Sequence, residues 1–132
     1  MEFRDELRYT RDHEWVRRSG EEFLVGITDY AQSQLSDIVY VELPAAGDAL
    51  RQGEPFGSVE AVKAVADLFA PLSGEVLEAN AALGDDPALL NREPYDGGWI
   101  VRGRLSDPAE WEGLLTAEQY RRLVGELAGA GA

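Results

Sequence analysis

Short apolar runs, divided by turns rich in Gly, Pro and Asp, fill the chain up to Leu105; helical spacing takes over beyond it. Tyr9 to Val16 predicts a loop running into a short strand, and Ser19-Gly20-Glu21-Glu22 a turn. Phe23 to Ile27 predicts a compact strand, and Thr28 or Asp29 caps a short helix through Tyr30, Ala31, Gln34 and Leu35. Ile38 to Leu43 is the most β-prone segment, followed by a turn through Asp48 and a short strand at Ala49-Leu50. Glu75 to Asn80 and Trp99 to Leu105 predict two more strands. Asp86 and Pro87 predict the cap and first position of one helical turn. After Leu105, Asp107-Pro108-Ala109-Glu110 carries cap, proline and matching acid, and Thr116 to Gln119 reads as a capping box. Tyr120, Leu123, Val124 and Leu127 then repeat at helical spacing, and the tail 129–132 is expected to fray. Strands first and helices last imply a mainly β fold with short helices and a C-terminal helical segment.

Between these elements, residues 56–70 predict a hairpin that is nearly symmetric about Lys63. Val62 faces Ala64, Ala61 faces Val65, Gly57 faces Phe69 and Pro55 faces Pro71. No Asn-Gly or Asp-Gly pair is present, so a type I turn over Val62-Lys63-Ala64 is expected. Glu42 to Leu50 is echoed by Glu78 to Leu89, each a strand end, a small-residue turn and Gly-Asp. The two copies flank the hairpin and predict a quasi-two-fold β-sandwich with Lys63 at one end.

Composition sharpens the interest in that tip. Of 12 Lys and Arg residues, Lys63 is the only lysine. A coding bias toward arginine accounts for the scarcity but not for the survivor's place at the hairpin centre. An amine there can be acylated, and a guanidinium cannot take over that chemistry. A cofactor carrier needs a rigid scaffold, an exposed tip and one such amine, because the reactive chemistry belongs to the cofactor. Ala61, Ala64 and Ala66 leave room for a modifying enzyme, while Glu60 and Asp67 flank the lysine. Those acids serve solubility, recognition by the acylating enzyme, or contact with a cationic group on the loaded arm.

The 132 residues form one domain, with a net charge of −13 and a pI of about 4.3. Nucleic acid is a poor partner, since Arg17-Arg18 and Arg121-Arg122 are too small for a basic patch. The absence of cysteine excludes disulfides and thiolate metal sites, and the single histidine, His13, argues against a metal centre. His13 beside Glu14 could serve as a base, but a packing or hydrogen-bonding role is the ordinary one. No catalytic constellation and no phosphate loop is present, so the chain is not read as an enzyme. The charged start, Met1 to Glu6, and the lack of a membrane-length apolar stretch predict a cytoplasmic protein.

Five blocks in order resemble the H protein family of the glycine cleavage system over about residues 8–125. They are His13-Glu14-Trp15-Val16; Gly26 to Gln32; Leu35 to Pro44; Val59 to Leu68 around Lys63; and Asn91 to Tyr95 with Gly98-Trp99. Ala61, Ala66, Phe69 and Ser36 depart from the family's commoner Ser, Ser, Tyr and Gly. The resemblance implies a barrel-sandwich hybrid like that of lipoyl domains, with a core at about 8–105 and C-terminal helices at about 107–127. It implies a monomeric, non-catalytic carrier with lipoate joined by an amide to Lys63. Glycine decarboxylase, a pyridoxal-phosphate enzyme, would load the aminomethyl group. Aminomethyltransferase would pass its one-carbon unit to tetrahydrofolate, and dihydrolipoyl dehydrogenase would reoxidise the dithiol. A lipoate ligase or lipoyl transferase would attach the arm, with Glu60 a candidate for its recognition. Glu14 and Asp67 match positions lining the cleft that shields the loaded arm.

Other readings keep the same hairpin. A lipoyl domain of a 2-oxoacid dehydrogenase lacks the His13-Glu14-Trp15 block and the C-terminal helices. A biotin carrier would place methionines beside the lysine, where Val62 and Ala64 stand. A lipoyl-relay paralogue and an unmodified acidic interaction module remain as alternatives.

Overall fold

In the computed structural model, which describes residues 1–130, nine strands pair into two sheets. Strands β1 (Arg8–Tyr9), β2 (Glu14–Ser19), β3 (Glu22–Ile27), β5 (Ala49–Leu50), β8 (Gly74–Ala79) and β9 (Val101–Leu105) form a sheet of order β1-β2-β3-β9-β8-β5. Strands β4 (Ile38–Glu42), β6 (Pro55–Ala61) and β7 (Val65–Phe69) form a second sheet of order β4-β6-β7. Val25, Val41, Val59, Leu72 and Ile100 are buried in the main core, to which both sheets contribute. This is the mainly β arrangement the patterning predicts.

A second, aromatic core closes the N-terminal side. Trp15 pairs with Gly26, where an added Cβ would come within 2.6 Å of the indole ring, so only glycine fits. The buried indole N–H donates to Pro94 O at 2.8 Å. Tyr9, expected in a loop, lies in β1 opposite Trp15 and stacks on Tyr120 at 4.5 Å between centroids. Tyr120 belongs to helix α5 (Ala117–Ala130), which docks against β1. Its start is the expected capping box: Gln119 N donates to Thr116 Oγ1 and Thr116 N to Gln119 Oε1. The helix runs through Ala130, past the expected end; fraying of 131–132 falls outside the described residues.

The remaining helices are short: α1 (Asp29–Leu35), α2 (Ala82–Asp85), α3 (Leu89–Arg92) and α4 (Ala109–Glu112). Thr28 caps α1, its Oγ1 accepting from Ala31 N. Asp86 does not cap the following turn. It stands at the end of α2 and pairs with Arg92, while α3 starts only at Leu89. Glu110 does not close a box with Asp107; its carboxylate reaches out of the helix to Ser73 N and Oγ. The sequence echo does not make two like halves either. Its first copy leads into β5 and its second into α2 and α3, because Leu83 and Leu90 are buried from helical positions.

The hairpin β6–β7 is present with its register shifted by one residue from the symmetric expectation. Glu60 pairs with Val65, Val59 with Ala66, Ser58 with Asp67 and Gly57 with Leu68. Pro55 pairs with Phe69 across an irregularity. The tip is a bend closed by Ala61 N donating to Ala64 O at 2.7 Å. The opposite bond, from Ala64 N to Ala61 O, which closes a hydrogen-bonded type I turn, is not formed at the tip. A bond from Val62 N to Asp37 O at 3.0 Å moors the tip to the residue before β4.

Candidate functional site

Strand β7 descends from the hairpin tip into the wall of a cleft of about 350 Å³. Lys63 stands exposed at the tip and takes part in no ion pair among the described residues. Asp67, four residues further, lines the cleft; at ~3.3 Å per residue that is about 13 Å of extended chain. Aliphatic side chains of Ile27, Ala31, Leu35, Val59 and Leu68 make most of the floor, and Leu127 of α5 adds a side. A cavity lined mostly by apolar side chains and also bearing carboxylates suits an extended hydrocarbon chain with a cationic terminus.

The loop before β2 supplies Asp12 and His13 to the cleft, and the first residue of β2 supplies Glu14. His13 has φ 69°, a left-handed conformation that costs a non-glycine residue ~1–2 kcal/mol. The turn lets its carbonyl accept from Thr28 N at 3.0 Å and its ring Nδ1 share a hydrogen bond with Tyr120 Oη at 2.9 Å. Tyr120 Oη in turn meets Thr28 Oγ1 at 2.7 Å. Burial pushes the imidazole pKa down, so the ring is held neutral, as a hydrogen-bonding residue.

Glu14 is 1 % exposed, an uncommon place for a carboxyl group. Thr10 Oγ1 donates to its Oε1 at 2.6 Å, and Phe69 N donates to its Oε2 at 3.2 Å. These two bonds favour the ionised form, but burial outweighs them and nearby Asp12 adds repulsion. The pKa is pushed up to about 8 from the ordinary 4.5. A carboxyl group kept protonated by burial can donate a hydrogen bond as well as accept one.

The structure thus brings Glu14 and Asp67 into one cleft and sets Lys63 above it. Glu60 is not part of that cleft: its exposed side chain lies between Tyr40 and Val65 in the cross-strand pairing. Asp12, His13 and Tyr30 also line it. Their signal was adjacency, in the Asp12-His13-Glu14 and Thr28-Asp29-Tyr30 runs. Among the described residues, no group of three or more His, Asp or Glu side chains could hold a metal ion.

A sequence profile described as "Glycine cleavage H-protein" matches residues 7–127. A glycine cleavage system H protein from Anaeromyxobacter sp. (strain K) is 52% identical over 126 residues, covering 96% of this chain and 98% of the relative. One from Geobacillus kaustophilus is 54% identical over 121 residues, covering 92% and 95%. The crystal structure of a glycine cleavage system H protein from Mycobacterium marinum superimposes with a TM-score of 0.82 at 37% identity. That alignment covers 92% of this chain and 98% of the other.

Proposed function

The chain belongs to the glycine cleavage H-protein family, and from that premise we propose that lipoate is joined by an amide to Lys63 and that the cleft receives the loaded arm. Its role is that of a non-catalytic lipoyl carrier in the glycine cleavage system. The lipoyl group supplies a disulfide–dithiol couple that carries a one-carbon amine and two electrons between enzymes. The observation that supports the assignment is the juxtaposition of exposed Lys63, the β7 wall with Asp67, and buried Glu14 bonded to Phe69 N.

Each residue then has a task. Lys63 holds the arm where its root is open to solvent. Ile27, Ala31, Leu35 and Leu68 exclude water from the arm's hydrocarbon length. Glu14 passes its proton to an arriving neutral amine, and the resulting carboxylate accepts a charge-assisted hydrogen bond from the ammonium; Asp67 adds a second negative charge at the cleft mouth. Shielding matters because water would release the one-carbon unit from the arm.

The partners are glycine decarboxylase, aminomethyltransferase, dihydrolipoyl dehydrogenase and a lipoate ligase or lipoyl transferase. The whole chain acts as one monomeric unit in the cytoplasm. No helix among the described residues is long and apolar enough to cross a membrane. The test is exchange of labelled bicarbonate into glycine by purified glycine decarboxylase. The lipoylated protein is expected to support it and the unlipoylated protein is not. A decarboxylase that accepts another H protein but ignores this one would overturn the reading in favour of a lipoyl-relay role.

A further inference from the structure

Four large apolar side chains lie exposed around the hairpin tip: Val39 at 52%, Tyr40 at 55%, Val62 at 71% and Val65 at 67%. Only Met1 and Leu127 join them as exposed large hydrophobics among the described residues. Singly exposed apolar residues need no explanation; clustered ones mark interaction sites.

The cluster is built by the backbone. Ile38 pairs with Ala61 but Tyr40 pairs with Glu60, so β4 carries an extra residue at Val39. This bulge breaks the in–out alternation and leaves two consecutive apolar side chains outside. Glu60 pairs in turn with Val65, making a cross-strand row Tyr40–Glu60–Val65 on the outer face. Val62 sits next to it, tied to Asp37 through its own N–H. The buried partners on the opposite face are Ile38, Val41, Val59, Ala61 and Leu68, so the outer residues are not needed for the core.

We infer that Val39, Tyr40, Val62 and Val65 form the docking surface for the enzyme that acylates Lys63. The inference rests on the assignment of Lys63 as the lipoylated residue. The acylating enzyme has to bring Lys63 Nζ to an activated lipoyl carboxyl group. There the amide C–N bond forms, the bond from the acyl carbon to the phosphate of an acyl adenylate breaks, AMP leaves, and the amine loses its proton. Residues flanking Lys63 are necessarily covered in that complex. Asp37, Glu42 and Glu60 lie in or beside the same sheet. The occupant's face is therefore apolar at its centre with a basic rim.

The test uses the full-length unlipoylated protein and a purified lipoate–protein ligase with ATP and lipoate. Tyr40→Thr with Val65→Thr, and separately Val62→Ser, keep the sheet and its core intact. Lipoylation, followed by intact mass, is expected to lose at least about tenfold in kcat/KM through KM, with thermal stability unchanged. The same variants, loaded to completion with excess ligase, are expected to support decarboxylase exchange like the wild type. Wild-type lipoylation rates in both variants would overturn the docking assignment while leaving Lys63 as the attachment point. Equal losses in lipoylation and exchange, or a wild type that self-associates through this face, would also overturn it. A wild type that takes no lipoate would overturn the assignment of Lys63 itself.

Discussion

The backbone N–H of Phe69 donates to Oε2 of Glu14 at 3.2 Å, joining residues 55 apart in sequence. The bond ties the start of β2 to the strand that carries Asp67. It lies where the large cleft meets a neighbouring cavity of about 260 Å³, which Glu14 and Asp12 line as well. Glu14 is therefore both a structural tie and the buried acid of the proposed arm site.

That dual position gives stability a pH signature. With a folded pKa of about 8 against an ordinary 4.5, Glu14 keeps its proton in the folded protein where the unfolded chain has lost it. Between those values the folded state binds more protons, so this residue's contribution falls as pH rises and levels off above about 8. Glu14→Gln removes the effect. Thermal unfolding across this range is expected to show the wild type losing stability relative to the variant by up to ~1.4 kcal/mol per pH unit. Parallel profiles would show that Glu14 ionises normally.

The same side chain is expected to govern the lifetime of the loaded arm. Glu14→Gln forfeits a charge-assisted hydrogen bond worth ~1.5–3 kcal/mol, so spontaneous formaldehyde release should quicken about tenfold or more. Asp67→Asn should act in the same direction but more weakly, because Asp67 is exposed. Lipoylation rates of both should match the wild type. Unaltered lifetimes would remove the two acids from the arm site.

Tyr120→Phe tests the helix that closes the cleft. It keeps the stacking on Tyr9 but removes the bonds to His13 and Thr28, whose Oγ1 still caps α1. Leaving the half-buried His13 nitrogen unpaired is expected to cost ~1 kcal/mol and to speed hydrogen exchange along α5. Exchange unchanged in α5 would mean that the ring stack alone holds the helix.

Much of this was legible in the chain, and the failures have physical causes. The strands announced themselves through compact runs such as Phe23 to Ile27, and α1 and α5 through the caps Thr28 and Thr116. Lys63 was legible as a tip because its flanks mirror each other. A symmetric sequence does not encode loop size, however, so the pairing came out one residue away, with Glu60 rather than Ala61 opposite Val65. Capping acids misled where a tertiary partner competed: Arg92 for Asp86 and Ser73 for Glu110. The resemblance pointed to Glu14, but nothing in the pattern marks a carboxylate as buried. Its burial depends on Thr10 and on the amide of Phe69, which only the fold brings to it.

The most direct measurement is the intact mass of the protein coexpressed with a lipoate ligase, beside Lys63→Arg. A single lipoyl adduct on the wild type and none on the variant is the predicted result. An unmodified wild type, or an adduct that survives in Lys63→Arg, would contradict the assignment of Lys63 as the carrier residue.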